Sequence, residues 1–335
     1  MRNREGERVA AVAKERLSRD EEQLSKLLRG VEEVVTEEEL RAALEDARRR
    51  TAYVGYEPSG SIHLGHMITA LKLAEFQRLG FKAVVLLADL HAHLNEKGSL
   101  EVVRKIAERN KECFRALLGN VKVVLGSSFQ LNADYIRDVL RLATLTTLSR
   151  ARRSMDEISR SVENPKVSQM IYPLMQAMDI AYLDADVAIG GIDQRKIHML
   201  ARESLPKLGF KAPVCVHLPL ILGLDGEKMS SSKGNFIAID DDEATIAAKI
   251  RKAVCPPKAT ENNPVLQLYE LLIFPVFETV EIERDAKYGG DVSYESFHEL
   301  EKDYVEGELH PLDLKLNAAR YVDKLIEPAR QKLKR

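Results

Sequence analysis

The run KAVVLLADL, residues 82–90, limits most strongly how this chain can fold. It is almost continuously apolar and rich in β-branched residues, which is the pattern of a strand buried in a parallel sheet. Helical patterns flank it, over residues 66–81 with a stop at Gly80 and over residues 100–118. Strands that alternate with helices predict an α/β fold with a doubly wound parallel sheet. The further strand patterns are residues 52–56, 121–126, 185–191 and 212–222.

The pattern changes near residue 240, where strand signals give way to helical ones. Residues 241–254 form a helix pattern that two prolines end, and residues 288–297 suggest a small irregular hairpin. The sequence therefore predicts three units: a charged helical N-terminal extension that we expect to be solvated, a parallel-sheet domain, and a mainly helical C-terminal domain. Their ranges are residues 1–30, 31–240 and 241–335.

Two helix ends near the N-terminus are marked by local signals. Residues 7–29 form a charged helix pattern that stops at Gly30, a glycine in the usual position after a helix. Thr36 and Glu39 have the spacing of a capping box, which predicts that a second helix starts there.

The cysteines and the charge balance exclude several classes of protein. Cys113, Cys215 and Cys255 lie far apart and are odd in number, which argues against a disulfide framework or a cysteine zinc site and fits a reducing cytoplasm. No apolar run approaches the ~20 residues that span a bilayer, so no membrane association is predicted. The formal net charge is -2, so contact with nucleic acid would need a local basic patch.

The stretch EPSGSIHLGH, residues 57–66, is the first candidate for chemistry. It joins a strand to a helix, and open α/β sheets bind ligands at such junctions. Gly60 and Gly65 allow close approach to the backbone, and the start of a helix attracts anions. His63 and His66 lie on one helix face and can donate to phosphate oxygens. The alternative, which is commoner for a lone HxxH pattern, is a pair of surface histidines.

The stretch LDGEKMSSSKGN, residues 224–235, is the second candidate. It is rich in glycine and serine and contains Lys228 and Lys233, so it suits a loop that closes over a polyphosphate. The alternative is an ordinary solvated loop. The chain contains neither a Walker A pattern nor GxGxxG, so a P-loop or a dinucleotide site has no support.

The two stretches together, HxGH early and KMSxS late in a parallel α/β domain, resemble the signatures of class I aminoacyl-tRNA synthetases. The likeness extends to a tyrosyl-tRNA synthetase of the archaeal and eukaryotic type, over residues 31–335. It rests on AYVGYEPSGSIHLGH, LLADLHAHLN, YPLMQAMDIAYL, GGIDQRKIHMLARE, KMSSSKGNF and LHPLDLK. The resemblance implies a Rossmann-like catalytic sheet and a mainly α-helical anticodon-binding domain.

The resemblance also implies an activity, that of a tyrosine–tRNA ligase. Such an enzyme forms tyrosyl-adenylate from L-tyrosine and ATP, releases pyrophosphate, and transfers tyrosyl to the 3′ end of tRNA(Tyr). Mg²⁺ is expected to enter on the ATP phosphates, with no permanent metal site, and a cytoplasmic homodimer is expected. Three alternatives stay open: a tryptophanyl-tRNA synthetase, another HxGH nucleotidyltransferase, and a non-catalytic RNA-binding paralogue.

The site residues follow from the match to the family's motifs. The catalytic and ATP-binding set is Gly60, His63, Gly65, His66, Lys228, Ser230 and Ser231. The tyrosine-binding set is Tyr53, Gly55, Glu57, Tyr172, Gln176, Asp179 and Gln194, in which Tyr53 and Asp179 would bond the phenol hydroxyl. The pair suits a phenol better than an indole, which offers one N–H donor. The commoner bacterial loop has a second lysine at the position of Ser231, which leaves open whether Lys233 replaces it.

The resemblance also assigns positions that contact tRNA. Four arginines lie in the segment RLATLTTLSRARRSM, residues 141–155, and suggest phosphate contacts to the acceptor stem. A solvated basic helix face is the alternative. The full set that the resemblance implies is Arg153 and Arg195 near the first acceptor base pair, with Tyr288, His310 and Asp313 at the anticodon.

Overall fold

The computed structural model describes residues 21–155, 164, 166–229 and 233–334. Residues 1–20 of the predicted extension, together with Ser230 and Ser231, lie outside the described residues. The strands are β1 (Glu33–Val35), β2 (Thr51–Tyr56), β3 (Lys82–Leu87), β4 (Lys122–Leu125), β5 (Val187–Gly191), β6 (Val214–Leu218), β7 (Val280–Ile282) and β8 (Val292–Tyr294).

Helices take up most of the remaining described chain. They are α1 (residues 21–28), α2 (Glu37–Glu45), α3 (Leu64–Arg78), α4 (Asp89–Leu94), α5 (Leu100–Leu118), α6 (Ala133–Leu145), α7 (Leu148–Met155), α8 (Val167–Tyr182), α9 (Arg195–Ser204), α10 (Glu243–Lys252), α11 (Pro264–Leu268), α12 (Phe297–Glu306) and α13 (Pro311–Leu333).

The first six strands form one sheet in the order β1-β6-β5-β2-β3-β4. Five of them are parallel, and only β1 runs antiparallel, against β6. The predicted α/β fold with a parallel sheet is therefore confirmed. The chain order reverses direction between β2 and β5, so the carboxyl ends of these strands flank a crevice, which is where open sheets bind ligands.

Alternate residues of the central strands pack into two separate cores, one on each face of the sheet. Val54, Val85 and Ile189 belong to one buried cluster, whereas Tyr53 and Ala188 belong to the other. This alternation follows from the two-residue period of a strand. It places the Tyr53 side chain on the face that α8 covers, because Met178 and Ala177 of α8 belong to the same cluster.

Three elements of the structure differ from the prediction. The run 82–90 is a strand only to Leu87, because the buried carboxylate of Asp89 begins α4 and accepts a hydrogen bond from Ser127 N at 2.7 Å. Strand β1 was not predicted, since three residues carry no clear period. The hairpin is larger than residues 288–297, because β8 pairs with β7, which lies upstream.

The end of the N-terminal extension is packed, in contrast to the solvated extension that the sequence predicts. Leu24 and Leu27 of α1 are buried in the main core. The ammonium of Lys72 donates to the backbone oxygens of Leu27 and Arg29 at 2.8 and 3.0 Å, which satisfies carbonyls at the end of α1. Gly30 follows with a φ of 66°, as the predicted helix stop requires.

The helical C-terminal part shares its core with the sheet domain. One cluster of buried side chains runs from Leu24 through β2 and β3 to Ile326 of α13. Near the end of α13, Lys332 Nζ donates to Ala116 O of α5 at 3.0 Å and Arg330 Nη1 donates to Asp241 O at 2.8 Å. The division at residue 240 stays a prediction. None of the described helices combines the length and the apolar character needed to cross a membrane.

Candidate active site

A cavity of about 310 Å³ lies beside the carboxyl ends of β2, β5 and β6. Gly60 lies in the loop after β2 but is not among the lining residues, and Ser230 and Ser231 are outside the described chain. The predicted residues that line the cavity are Tyr53, Gly55, Glu57, His63, Gly65, His66, Tyr172, Gln176, Asp179, Gln194 and Lys228. The structure thus brings the two motifs and the predicted tyrosine set around one space.

His63 and His66 form a reciprocal cap at the start of α3. Nδ1 of His63 accepts from Gly65 N at 3.2 Å, and Nδ1 of His66 accepts from His63 N at 3.2 Å. The ring centroids lie 3.9 Å apart. The helix therefore starts at Leu64, earlier than the pattern from residue 66 predicted, because His63 serves as the N-cap.

Burial keeps both rings neutral near pH 7. It lowers the pKa of His63 to about 2, with repulsion from His66 as a second cause, and it lowers the pKa of His66 to about 4. A neutral ring whose Nδ1 accepts a hydrogen bond carries its hydrogen on Nε2. Each histidine therefore offers an Nε2–H donor at a helix start, a place that already favours anions.

Lys228 belongs to the same cavity and is held there by an acidic partner. Its ammonium bonds Asp193 Oδ2 at 2.9 Å, and its backbone oxygen accepts from Asn235 Nδ2 at 3.2 Å. Lys233 instead bonds Glu227 Oε2 at 2.7 Å, and it is not among the residues that line the cavity in the described part of the loop. Of the two lysines, Lys228 is the one placed to meet an anion.

Asp179 is fully buried in the cavity wall and is only partly satisfied. Its Oδ1 accepts from Gln130 Nε2 and from Tyr135 OH, both at 2.8 Å. Its Oδ2 has no hydrogen-bond partner among the described residues, and His91 Nε2 is 3.5 Å away. Burial, with the nearby Asp179 as the second cause, raises the pKa of Tyr53 above its ordinary value. A carboxyl oxygen of Asp179 and the protonated hydroxyl of Tyr53 thus remain for a ligand.

The ionisation of Asp179 should make stability depend on pH. Burial raises its pKa from 3.8 to about 8, although two hydrogen bonds act against this. The unfolded chain loses the proton near pH 4 and the folded protein only near pH 8, so this group's contribution to stability falls as pH rises between them. We expect Asp179→Asn, which cannot ionise, to gain stability over the wild type through that window. Thermal melts of both proteins from about pH 5 to 9 measure it, and a constant difference in Tm would contradict it.

Acceptor groups gather at another part of the wall. Gln176 Nε2 donates to Gln194 Oε1 at 2.9 Å, and Gln176 Oε1 is buried without a hydrogen-bond partner within the described chain. Glu57 accepts from Asn95 Nδ2 at 3.0 Å. Burial raises the pKa of Tyr172 well above its ordinary value, with Glu57 as a further cause. Carboxylate and amide oxygens are the partners that an ammonium group requires.

Gly55 keeps the space beside Tyr53 open. A Cβ at residue 55 would lie 3.4 Å from the Tyr53 hydroxyl and 3.5 Å from its ring. Gly55 lines the cavity, so a side chain at this position would take up cavity volume beside Tyr53.

Comparison with known proteins decides the family. The family model for tRNA synthetases class I (W and Y) matches residues 45–327. The tyrosine–tRNA ligase of Archaeoglobus fulgidus is 57% identical over 315 residues, which are 93% of this chain and 98% of that protein. The chain belongs to the archaeal-type tyrosyl-tRNA synthetases.

Solved structures agree with membership of the tyrosyl-tRNA synthetases. The crystal structure of Archaeoglobus fulgidus tyrosyl-tRNA synthetase, complexed with L-tyrosine, has a TM-score of 0.89 and 57% identity, covering 94% of this chain and 99% of that one. The tryptophanyl-tRNA synthetase of Aeropyrum pernix K1 has a TM-score of 0.71 at 21% identity, covering 89% and 82%. The second likeness shows a shared fold alone.

Sequence reasoning missed several residues of this tyrosyl-tRNA synthetase cavity. The missed residues are His91, Gln130, Tyr135, Asp193 and His198, which line the cavity or bond a residue that does. His91 and Asp193 follow the ends of β3 and β5 within a few residues, so polar residues just after buried strands were the available signal. Gln130 and Tyr135 gave no such signal, because only the packing of α6, and of the turn before it, near α8 brings them to Asp179.

The predicted acceptor-stem residues lie on two helices of the synthetase. Arg153 is exposed on α7. Arg195 begins α9 and is half-exposed, and its guanidinium makes a two-pronged ion pair with Glu33, at 2.7 and 2.8 Å. The arginine-rich segment is not uniformly available, because Arg141 bonds Asp138 and Arg150 bonds Glu203.

The predicted anticodon residues lie at or near two segments that Asn317 links. Tyr288 is 62% exposed, and His310 caps the start of α13, where Nδ1 accepts from Leu312 N at 3.1 Å. Asn317 donates to the backbone oxygens of Asp313 and Glu283 at 2.9 and 3.0 Å, which ties the end of β7 to the first turn of α13. These hydrogen bonds join the chain before Tyr288 to the start of α13.

Proposed function

We propose that this synthetase activates L-tyrosine with ATP, forming tyrosyl-adenylate and pyrophosphate, and then transfers tyrosyl to the 3′ end of tRNA(Tyr). One observation carries the proposal. A single cavity is lined by three residues that can donate hydrogen bonds to phosphate oxygens, His63, His66 and Lys228. The same cavity is lined by Tyr53 and by the buried Asp179, whose Oδ2 has no hydrogen-bond partner among the described residues. The names of the relatives, tyrosine–tRNA ligases at 52–57% identity over most of the chain, support it.

The activation step needs positioning and charge stabilisation more than a protein nucleophile. The carboxylate of tyrosine attacks the α-phosphorus of ATP in line, and pyrophosphate leaves with the developing negative charge. The Nε2–H groups of His63 and His66 would donate to phosphate oxygens. The ammonium of Lys228 would leave Asp193 and follow the pyrophosphate as the loop closes.

The tyrosine end of the site follows from hydrogen-bond chemistry. A phenol hydroxyl both donates and accepts. Asp179 Oδ2 and the Tyr53 hydroxyl would bond this group, one of them donating to the phenol oxygen and the other accepting its hydrogen. The ammonium of the amino acid would lie among Gln176, Gln194, Tyr172 and Glu57.

Magnesium is expected to enter as part of the substrate. Within the described residues, no group of three or more His, Cys, Asp or Glu side chains is placed to hold a metal ion. At the start of α3 and on the loop of residues 224–235, the groups that face the cavity are N–H donors and an ammonium, which match anionic oxygens and not a cation. We therefore propose that Mg²⁺ is carried by the ATP phosphates and waters.

Pyrophosphate exchange with each of the twenty amino acids tests the proposal. Tyrosine alone should support exchange well above background. A dominant tryptophan signal would identify a tryptophanyl enzyme. Exchange with none of the amino acids, from a folded protein, would point to another nucleotidyltransferase or to an RNA-binding paralogue.

For the anticodon we propose Tyr288, His310 and Asp313. Tyr288 offers an exposed ring on which a base can stack, and Asp313 lies in the first turn of α13. Arg153 and Arg195 are proposed to meet the acceptor stem, since guanidinium groups bind phosphates and base edges.

We expect Asp313→Ala to raise the KM for tRNA at least ~10-fold while leaving pyrophosphate exchange unchanged. One base contact is worth ~1–3 kcal/mol, and the residue is not part of the cavity lining. Aminoacylation and exchange assays on the same preparation measure both effects. Glu299→Ala, an exposed acid at the start of α12, is the control. Loss of both reactions in Asp313→Ala would show that the assignment of Asp313 to the anticodon site is wrong.

We also propose a homodimer, formed through the segment from residue 131 to residue 148. Five large apolar side chains are exposed there: Leu131, Ile136, Leu140, Leu145 and Leu148. Apolar side chains gathered in one exposed segment mark an association surface, and a two-fold interface pairs such a surface with its own copy. Sedimentation velocity of the full chain measures the oligomeric state.

We propose that the protein is located in the cytoplasm, where its tRNA substrate is. The three cysteines are unpaired, which is compatible with this location.

A further inference from the structure

Four side chains form a continuous row from the surface to the cavity. Arg195 bonds the carboxylate of Glu33. Glu33 Oε2 lies 2.9 Å from His217 Nδ1, and His217 Nε2 lies 3.0 Å from His198 Nδ1. His198 lines the cavity. We call these four residues the histidine row. The sequence analysis predicted no contact between any two of them.

The fold fixes the row at both ends. His198 and Arg195 lie three residues apart on α9, so the first and last members share one helix face. Glu33 on β1 is paired in register with His217 on β6. His198 and His217 are 1% and 0% exposed, which leaves neither ring room to turn. A Cβ on Gly190 would lie 3.1 Å from His198 Cε1, so the bare backbone of β5 lets this ring reach the cavity wall.

The positions of the hydrogens follow from the charges. The Arg195 guanidinium holds the pKa of Glu33 below its usual range, so this end of the row is a carboxylate. Burial lowers the pKa of His198 to about 3 and also lowers that of His217, so both rings are neutral. His217 must then donate through Nδ1 to Glu33 and accept through Nε2 from the Nδ1–H of His198. The Nε2 of His198 is left without a hydrogen.

We propose that His198 Nε2 accepts a hydrogen bond from a substrate in the cavity, and that Glu33 and His217 are positioning residues which fix the ring in this form. The bound donor is a hydroxyl of the ATP ribose or the ammonium of the amino acid. The inference rests on the proposed function. It adds an acceptor of fixed orientation to a wall where Gln194, also near Gly190, supplies a further polar group.

The hydrogen positions can be measured without any activity. Long-range proton–nitrogen correlation spectra of the full chain with isotope-labelled histidine distinguish protonated from bare ring nitrogens. The signal of His198 is assigned through His198→Gln. We expect a bare Nε2 on His198 in the wild type and a mixture of ring forms in Glu33→Ala. A protonated Nε2 in the wild type would overturn the proposal.

Kinetics test the contact with substrate. Glu33→Ala and His217→Leu should raise the KM for one small substrate about 10-fold in pyrophosphate exchange, the effect of one hydrogen bond, with little change in kcat. His217→Gln, whose amide oxygen can still accept from His198, should recover most of the loss. The matched control is Glu39→Ala, which breaks a similar carboxylate–arginine pair with Arg202 outside the row.

The substrate affected identifies the donor. If the KM for ATP rises, the donor is a ribose hydroxyl, and 2′-deoxy- or 3′-deoxy-ATP should lose the same factor in the wild type but nothing further in Glu33→Ala. If the KM for tyrosine rises, the donor is the ammonium. Unchanged KM values for both in folded Glu33→Ala and His217→Leu would overturn the proposal. Wild-type exchange that does not depend on tyrosine would instead overturn the proposed function, while the spectra would still report on the row.

Discussion

Replacing Lys228 or His66 by alanine should lower the kcat of tyrosine-dependent pyrophosphate exchange by ~10²-fold or more, the usual scale for removing one preorganised donor from a developing charge. Lys228 lines the cavity and its ammonium bonds Asp193, and His66 offers its Nε2–H at the start of α3. Both groups act where charge grows in the transition state, so the effect should fall on kcat more than on the KM for ATP.

Lys233→Ala is the matched control for this first prediction. It removes a lysine from the same loop, but one that bonds Glu227, and we expect a change in kcat of less than ~5-fold, the range of a surface ion pair. Thermal melts show whether the variants are folded. A His66→Ala protein with a lowered Tm but an unchanged rate would assign that histidine to helix capping alone. A large loss in Lys233→Ala would mean that this lysine takes part when the loop closes.

The second large effect concerns the choice between tyrosine and phenylalanine. Phenylalanine fits any cavity that holds tyrosine, so shape cannot exclude it. Rejection must come from leaving the buried partners of the missing hydroxyl without a hydrogen bond. Discrimination of ~10⁵ is already established for a tyrosyl-tRNA synthetase, and this known value sets the scale for the present enzyme. The structure supplies the two groups, Asp179 Oδ2 and the Tyr53 hydroxyl.

Removing either group should cost tyrosine on the order of 2–3 kcal/mol of transition-state binding, from ~1–3 for each unsatisfied buried group. This is ~30- to 150-fold in kcat/KM, since 1.36 kcal/mol is tenfold. Phenylalanine should lose much less. The measurement is kcat/KM for both amino acids in the exchange assay with Tyr53→Phe and Asp179→Ala.

Tyr182→Phe is the control for the tyrosine pair, because its hydroxyl bonds Asp138 at 3.0 Å and the residue does not line the cavity. Its ratio of tyrosine to phenylalanine activity should stay within ~2-fold of the wild type, as expected for a partly exposed hydrogen bond. If the ratio stayed unchanged in Tyr53→Phe and Asp179→Ala as well, the phenol would be held elsewhere and the assignment would fall.

The sequence predicted the long, periodic parts of the fold well. Helix α5 has the predicted bounds, and β2 and β3 lie where continuous apolar runs placed them. Short elements escaped, as β1 did, because three residues show no period and its pairing with β6 is decided by residues far along the chain. Asp89 illustrates a local failure, since an apolar run continued through a residue that starts a helix.

The motifs predicted several residues that line the candidate cavity, but not the residues that hold them in place. His63, His66 and Lys228 could be named because their spacing is local and their chemistry specific. Gln130 and Tyr135, which hold Asp179, could not be named, because they lie more than forty residues from it in the chain and meet it only through helix packing. The capping role of His63 was also missed, since histidine is not among the usual N-cap residues.

Helix α13 has a consequence that goes beyond packing. It is 23 residues long, so at ~1.5 Å per residue it is a rod of roughly 35 Å. His310 and Asp313 stand at one end, and Lys332 and Arg330 anchor the other end to α5 and to Asp241. If Asp313 contacts the anticodon, the length of α13 fixes the distance between the anticodon contact and the sheet domain. A tRNA of the wrong span between anticodon and acceptor end would then be rejected by its length, even where every base at both ends is correct.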